Sequence, residues 1–201
     1  MTAHPRSMRP RRRLAVTALA IGLATTALTT ACSTPITPGA PVTRPAIDSN
    51  LTRDAAQARV FEHFTETLSR VPATLSLGQA APKPDLQADT NGFTVPCDDN
   101  NLTNSPVNFQ VGFWVHGVAD GGETDAYQAF VQSFRDAKWA TVPDKAYPEE
   151  VTRAYTPDGY AIVAQLNSVG GLSLTGSSPC FPAANDTTTT PQPTAIPHPA
   201  D

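Results

Sequence analysis

Nine residues in the middle of the chain, Val107 to Val115, alternate between apolar and other side chains, and no other feature constrains the fold as strongly. Side chains two positions apart share one face of a β-strand. The apolar face holds Val107, Phe109, Val111, Phe113 and Val115. The opposite face holds Asn108, Gln110 and Trp114. This pattern predicts a strand in a sheet that buries one face against a core.

Two amphipathic helices are predicted, one before and one after this strand. The first runs from Thr52 to Val71, with Thr52 as its N-cap and Pro72 ending it. Its apolar positions recur at spacings of three and four: Val60, Phe61, Phe64, Leu68 and Val71. The second runs from about Thr124 to Lys138. Its predicted buried stripe consists of Tyr127, Phe130, Val131 and Phe134.

The last third of the domain is predicted to be a run of hairpins. Strands over Val151–Thr156 and Tyr160–Leu166 flank the turn Pro157-Asp158-Gly159, and Gly170-Gly171 leads into a strand over Leu172–Thr175. The order helix, strand, helix, strands predicts an α+β fold, an antiparallel β-sheet covered on one face by two α-helices. A parallel α/β fold would need more crossover helices than the chain offers.

The N-terminus has the features of an export signal. Arg6, Arg9 and Arg11 to Arg13 precede an uncharged run over Leu14–Leu28, which is shorter than the roughly 20 residues that span a bilayer. Residues 1–31 are therefore predicted to be a cleaved signal peptide. Leu28-Thr29-Thr30-Ala31-Cys32 is typical of a lipobox, in which Cys32 receives an acyl lipid such as palmitate. Thr29 replaces the usual Leu, so ordinary cleavage after Ala31 stays open, as does the choice between Sec and twin-arginine export.

The chain has three cysteines, Cys32, Cys97 and Cys180. An unpaired thiol is unfavourable in an oxidising extracytoplasmic compartment, so an odd count needs an explanation. Lipidation of Cys32 leaves Cys97 and Cys180 as a predicted disulfide. The alternative is that these two cysteines remain reduced and buried.

The charge balance disfavours nucleic acid as a partner. Removal of the signal takes five of the 14 basic residues, leaving 9 against 18 acidic residues and a net charge of −9. A strongly acidic domain repels phosphate backbones and anionic lipid headgroups. Attachment to the extracytoplasmic face of the cell membrane is therefore expected to depend on the covalent lipid at Cys32.

Composition divides the mature chain into three parts. Residues 32–50, with Pro35, Pro38, Pro41 and Pro45, are predicted to be an extended tether. Residues 51–183 are long enough for one α+β domain with a single core. Residues 184–201 are rich in Thr and Pro without a hydrophobic pattern, and are predicted to be a disordered tail.

Several of these features together resemble the LppA-like lipoproteins of mycobacteria. They are the spread of Cys97 and Cys180, Asp158-Gly159-Tyr160 opening a strand, and Leu172 to Gly176 running on to Cys180-Phe181. The resemblance covers about residues 51–183, and the chain departs from the family in the first helix and around Asp98 to Ser105. It implies a lipid-anchored cell-envelope protein with Cys97 paired to Cys180. It implies no particular activity.

The sequence contains no recognisable catalytic or metal-binding motif. His63, His116 and His198 lack a second ligand at metal-binding spacing, so no cofactor is expected. His63, between Glu62 and Glu66, is predicted to lie on the surface. Asp98-Asp99-Asn100-Asn101 lacks the spacing of a calcium loop and is predicted to be a turn. The chain is not expected to be an enzyme.

Trp114 and His116 are the candidate binding residues, because they project from the strand face opposite the Val/Phe row. The alternative is that the tether, a loop or a helix covers Trp114. We expect an envelope-anchored, non-catalytic binding or scaffold module whose protein or lipid partner is not specified by the sequence. The alternative function is a lipid or glycolipid carrier, which requires an apolar cavity of several hundred Å³.

Overall fold

The described part of the chain contains two α-helices, one short 3-10 helix at Ala183–Asn185 and eight strands. The computed structural model describes residues 47–84, 86, 90–98, 105–144 and 150–200. The helices are α1, Arg53–Leu68, and α2, Glu123–Asp136. The strands are β1 Ser76–Gly78, β2 Phe93–Pro96, β3 Val107–His116, β4 Ala140–Asp144, β5 Glu150–Tyr155, β6 Ala161–Leu166, β7 Leu172–Ser177 and β8 Ala195–Ile196. No helix within these ranges has the length and apolarity needed to cross a membrane. The predicted signal peptide, Cys32 and the tether up to residue 46 lie outside the described residues.

All eight strands belong to one sheet, in the order β4-β5-β6-β7-β3-β1-β8, with β2 also paired to β3. Every pairing between these strands is antiparallel. The α+β class and the antiparallel sheet are therefore confirmed. Strand β3 is long enough to pair with β7 on one side and with both β1 and β2 on the other, so it is an interior strand with three partners.

The predicted apolar face of β3 is buried beneath the helices. Phe109, Val111, Phe113 and Val115 are all buried. The ring of Phe113 meets those of Phe61 and Phe64 in α1 edge to face, at centroid distances of 6.0 and 5.8 Å. Burying one such side chain contributes about 2 to 3 kcal/mol, so this row supplies a large part of the stability of the core.

Helix α1 begins as predicted and ends three residues earlier. The hydroxyl of Thr52 accepts a hydrogen bond from the backbone N–H of Ala55 at 3.3 Å, which satisfies one free donor of the first turn. The helix ends at Leu68, and Val71 reaches the core from the turn that follows. Val60, Phe64 and Leu68 form the buried stripe.

Helix α2 also matches its predicted stripe, since Tyr127, Phe130, Val131 and Phe134 are buried against the same face of the sheet. The hydroxyl of Tyr127 is hydrogen-bonded to that of Thr152 in β5 at 2.7 Å. The helix ends before Lys138, which has a φ of 59°, because a left-handed residue cannot continue a right-handed helix.

A disulfide joins Cys97 to Cys180, which confirms the predicted pair. Cys97 follows β2 and Cys180 follows β7, so the bond links the two neighbours of β3 where β3 begins. Backbone hydrogen bonds between Val107 and Phe181, at 2.7 and 2.9 Å, close the same end. The bond therefore lies beside an interior strand and away from β4 and β8, which form the edges of the sheet. Closing an 83-residue loop stabilises a fold by up to about 4 to 5 kcal/mol.

The C-terminal segment differs from the disordered tail predicted for residues 184–201. Residues 183–200 run along the domain, and Ile196 in β8 pairs with Leu77 of β1. Asp54 at the start of α1 accepts hydrogen bonds from Thr188 and Thr189. His198 is buried, with Nε2 3.2 Å from the carbonyl oxygen of Val71. Isolated polar contacts and one buried Ile hold the segment, which is why it has no hydrophobic period.

Replacing Ile196 by Ala is expected to lower the free energy of unfolding by about 2 kcal/mol, because it empties a buried site at the edge of the core. Urea denaturation of the purified protein measures the change. Val169→Ala is the matched control, since Val169 is exposed, and it should change stability by less than about 0.5 kcal/mol. An Ile196 variant as stable as this control would show that the segment is not docked.

Candidate functional site

The two predicted binding residues lie in different environments. Trp114 faces away from the helices, as expected, but it is only 4% exposed. Leu86, in the segment between β1 and β2, is 5% exposed and packs over this part of the sheet. A Cβ placed on Gly171 would lie 2.7 Å from Leu86 Cδ2 and 3.0 Å from Trp114 Cζ3. Trp114 is therefore covered, which was the alternative left open by the sequence, and it offers no open binding surface.

His116 is the last residue of β3 and is more accessible than Trp114. Its Nε2 lies 2.9 Å from the carbonyl oxygen of Ala80. A carbonyl oxygen only accepts, so Nε2 is the donor in this hydrogen bond. The neighbouring strand has Gly78 at this point, where a Cβ would lie 2.8 Å from His116 Nε2. The absent side chain of Gly78 makes room for the imidazole.

A pocket of about 200 Å³ lies beside His116. Strand β3 and the turn after it contribute Val115, His116, Gly117, Val118 and Asp120, and the start of α2 contributes Glu123. The other lining residues are Pro82, Lys83, Gly170 and Leu172. These segments meet because β3 and β7 are antiparallel, which places the end of β3 beside the start of β7. Gly117 fixes the turn, since it has a φ of 80° and a Cβ there would lie 1.8 Å from the carbonyl oxygen of Thr74.

The pocket has one satisfied ion pair and one free acid. Lys83 Nζ lies 3.0 Å from Glu123 Oε1 and 3.4 Å from the carbonyl oxygen of Gly170. The backbone N–H of Glu123 itself and the ammonium of Lys83 lower the pKa of Glu123, which remains ionised. Asp120 is exposed at the rim and has no hydrogen-bond or ion-pair partner within the described ranges. The side chains of Lys83, Asp120 and Glu123 together contribute a net charge of −1 to the lining.

A second polar cluster surrounds His63, and here the prediction of a surface residue is wrong. The side chain is 2% exposed, because His63 lies on the buried stripe of α1 together with Val60 and Thr67. Its Nε2 is 3.2 Å from the carboxylate of Asp158 in the β5–β6 turn. The ring packs against Trp139 and Tyr160, each at a centroid distance of 5.3 Å. The charged neighbours Glu62 and Glu66 suggested an exposed position, although the helical spacing of His63 from Val60 and Thr67 is that of a buried one.

Asp158 is the centre of this cluster. It accepts hydrogen bonds from Thr156 Oγ1 at 2.6 Å and from Arg59 Nε at 2.7 Å. Burial by itself raises the pKa of Asp158, but these hydrogen bonds and the nearby charges of His63 and Arg59 outweigh it and lower the pKa to about 2. Burial raises the pKa of Tyr160 to about 12. The cluster therefore holds an ionised carboxylate that joins α1 to the β5–β6 turn.

The His63 cluster lacks the arrangement of a catalytic centre. His63 Nε2 faces Asp158 and Nδ1 lies 3.6 Å from Glu66 Oε2, so in the described part of the chain neither nitrogen faces a hydroxyl or thiol nucleophile. The ring is enclosed, which keeps a substrate away from it. Across the same ranges, no three His, Cys, Asp or Glu side chains converge to hold a metal ion. Residues 99–101 of the predicted Asx turn lie outside the described residues.

The pocket beside His116 is the better candidate site, since it is open and has free polar groups. Sequence reasoning identified His116 but missed Lys83, Asp120 and Glu123. The sequence feature that could have indicated the pocket is the set of glycines at 117, 121, 122, 170 and 171, because these residues mark turns at one end of β3. Comparison of the chain with models of protein families, with curated proteins and with solved structures finds no match.

Asp158→Asn is expected to flatten the acid-induced loss of stability. The pKa of Asp158 is lowered from 3.8 to about 2 in the folded state, so its contribution is present above pH 3.8 and is lost as the pH falls towards 2. The free energy of unfolding, measured from pH 5 to pH 2, should fall less steeply in the variant than in the wild type. Asp125→Asn removes one charge from an exposed position of α2 and controls for net charge. Equal slopes for wild type and Asp158→Asn would contradict the assignment.

Proposed function

We propose that the chain is a lipid-anchored cell-envelope protein whose α+β domain is a non-catalytic binding module. The export features, the lipobox at Cys32 and the resemblance to LppA-like lipoproteins support the envelope location. The pocket beside His116 is the observation that carries the binding role, since turns at the ends of β-strands and the start of α2 hold polar groups around an open concavity. The disulfide supports an oxidising compartment.

The size and lining of the pocket favour a small polar group over a lipid. Its volume of about 200 Å³ is below the roughly 300 to 1,000 Å³ typical of sites for drug-sized ligands. A carrier for acyl chains needs a larger apolar cavity, and the ionised Lys83 and Glu123 line this one. A small ligand, or one side chain of a partner protein, fits the pocket better than a lipid tail.

Two readouts in the producing cell test the anchor and the binding role together. A photoreactive amino acid at Pro82, on the exposed rim of the pocket, should give a discrete crosslinked adduct in the membrane fraction. The same amino acid at Gln132, on an exposed part of α2 away from the pocket, is the control and should not give that adduct. Cys32→Ala should release the protein from the membrane, because it removes the predicted lipid attachment.

Each readout has a result that opposes the proposal. Full membrane retention of Cys32→Ala would refute the lipid anchor. Repeated absence of any specific adduct at Pro82, whether with a protein or with a small molecule detected by mass spectrometry, would refute the binding role of the pocket, provided that the protein is folded and exported.

A further inference from the structure

The free hydrogen-bonding groups of the pocket beside His116 are mainly acceptors. His116 Nε2 already donates to the carbonyl oxygen of Ala80, so this N–H is not available to a ligand. Asp120 offers a carboxylate without a partner within the described ranges. The ammonium of Lys83 is shared between Glu123 and Gly170. A ligand that satisfies Asp120 must therefore bring donors.

The net charge of the pocket determines which kind of hydrogen-bond-donating ligand can bind there. Lys83 and Glu123 neutralise each other at 3.0 Å, so Asp120 supplies the net charge of −1. A carboxylate or phosphate ligand would be repelled by Asp120 and would have to compete with Glu123 for Lys83. A divalent metal ion such as Ca²⁺ requires about six to eight oxygen ligands, and the described lining provides only two carboxylates. An organic cation with several N–H donors fits the free groups better.

The walls accept an alkyl chain. Val115, Val118 and Leu172 line the same cavity, so apolar surface lies beside the acceptors. The volume of about 200 Å³ corresponds to roughly six or seven groups the size of a water molecule, at about 30 Å³ each. A short alkyl chain with a terminal amine has this size and this division into an apolar and a charged end.

We infer that the pocket beside His116 binds a primary alkylammonium group. The inference rests on the proposed function and specifies the chemistry of its ligand. The ammonium donates to the Asp120 carboxylate, while the alkyl chain packs on Val118 and Leu172. Two sources carry this chemistry, a free small amine and a lysine side chain of a partner protein.

Titration of the purified protein with n-butylammonium tests the inference, with binding followed by amide NMR. Saturable shifts are expected at the backbone N–H groups of Gly117 and Gly170 on the pocket rim, with a dissociation constant on the order of 1 mM. The probes n-butanol, butyrate and Ca²⁺ should not saturate these shifts. Absence of saturation with n-butylammonium, or equal binding of n-butanol, would overturn the inference.

The Asp120→Asn variant tests whether the Asp120 carboxylate binds the ammonium group. The variant should weaken n-butylammonium binding about threefold to tenfold, because an amide cannot form the charge-assisted hydrogen bond. Asp125→Asn removes the same charge from an exposed α2 position outside the pocket and should bind as the wild type does. Equal affinities for wild type and Asp120→Asn would contradict the assignment of the ammonium to this carboxylate.

Competition experiments distinguish a free amine from a lysine of a partner protein. They also distinguish failure of the proposed ligand from failure of the proposed binding role. If the ligand is a protein lysine, acetylating the lysines of solubilised envelope proteins should abolish the adduct at Pro82, and n-butylammonium should compete with it. If the ligand is a free amine, n-butylammonium should still bind the purified protein, and acetylating the envelope proteins should not change crosslinking at Pro82. An adduct that forms normally without any response to n-butylammonium would keep the binding module and overturn its proposed ligand.

Discussion

The burial of strand β3 is the constraint on which the rest of the structure depends. Its alternating face packs beneath α1, and its length allows pairing with β7 on one side and with β1 and β2 on the other. A shift of one residue would turn the Phe109 to Phe113 row away from the core, so the pattern fixes the register. The disulfide and the Val107–Phe181 hydrogen bonds hold the first end of β3. The candidate pocket occupies the other end.

This arrangement explains why the pocket is well placed for binding. His116 is fixed by β3 and by its hydrogen bond to Ala80, and Asp120 and Glu123 are brought close by the short connection to α2. The ion pair of Lys83 with Glu123 joins the β1–β2 segment to that helix. Groups held on paired strands and helix ends lose little conformational entropy when a ligand binds. The opposite end of β3, by contrast, is closed by the Cys97–Cys180 disulfide and by backbone hydrogen bonds.

Sequence predicts the elements whose burial is periodic. Both helices, β3 and the hairpin around Asp158 follow from apolar spacing and turn residues, and the cysteine pair follows from parity. Strands β1, β2, β4 and β8 were missed because they have only two to five residues, too few to show a period. The docking of residues 183–200 depends on partners such as Asp54 and Val71, more than 100 positions away, which local patterns cannot reveal.

Local sequence patterns also predict only part of the candidate site. Alternation placed Trp114 and His116 on one face correctly, but it could not reveal that Leu86 covers the first and leaves the second accessible. The approach of Lys83 to Glu123 spans 40 positions, and it depends on how the turns meet rather than on a motif. His63 was misassigned because its charged neighbours suggested solvent, whereas its helical position faces Trp139 and Tyr160.

Amide hydrogen exchange of the native protein tests the central role of β3 most directly. The backbone amides of β3 that bond to β7, within Gln110 to Trp114, should belong to the slowest-exchanging class, opening only when the whole domain unfolds, because β3 and β7 are both interior strands of the sheet. The amides of β4 should exchange much faster, since β4 is an edge strand and Val142 within it is 53% exposed. Exchange of the β3 amides at the rates of β4 would contradict the view that β3 organises the fold and positions the pocket.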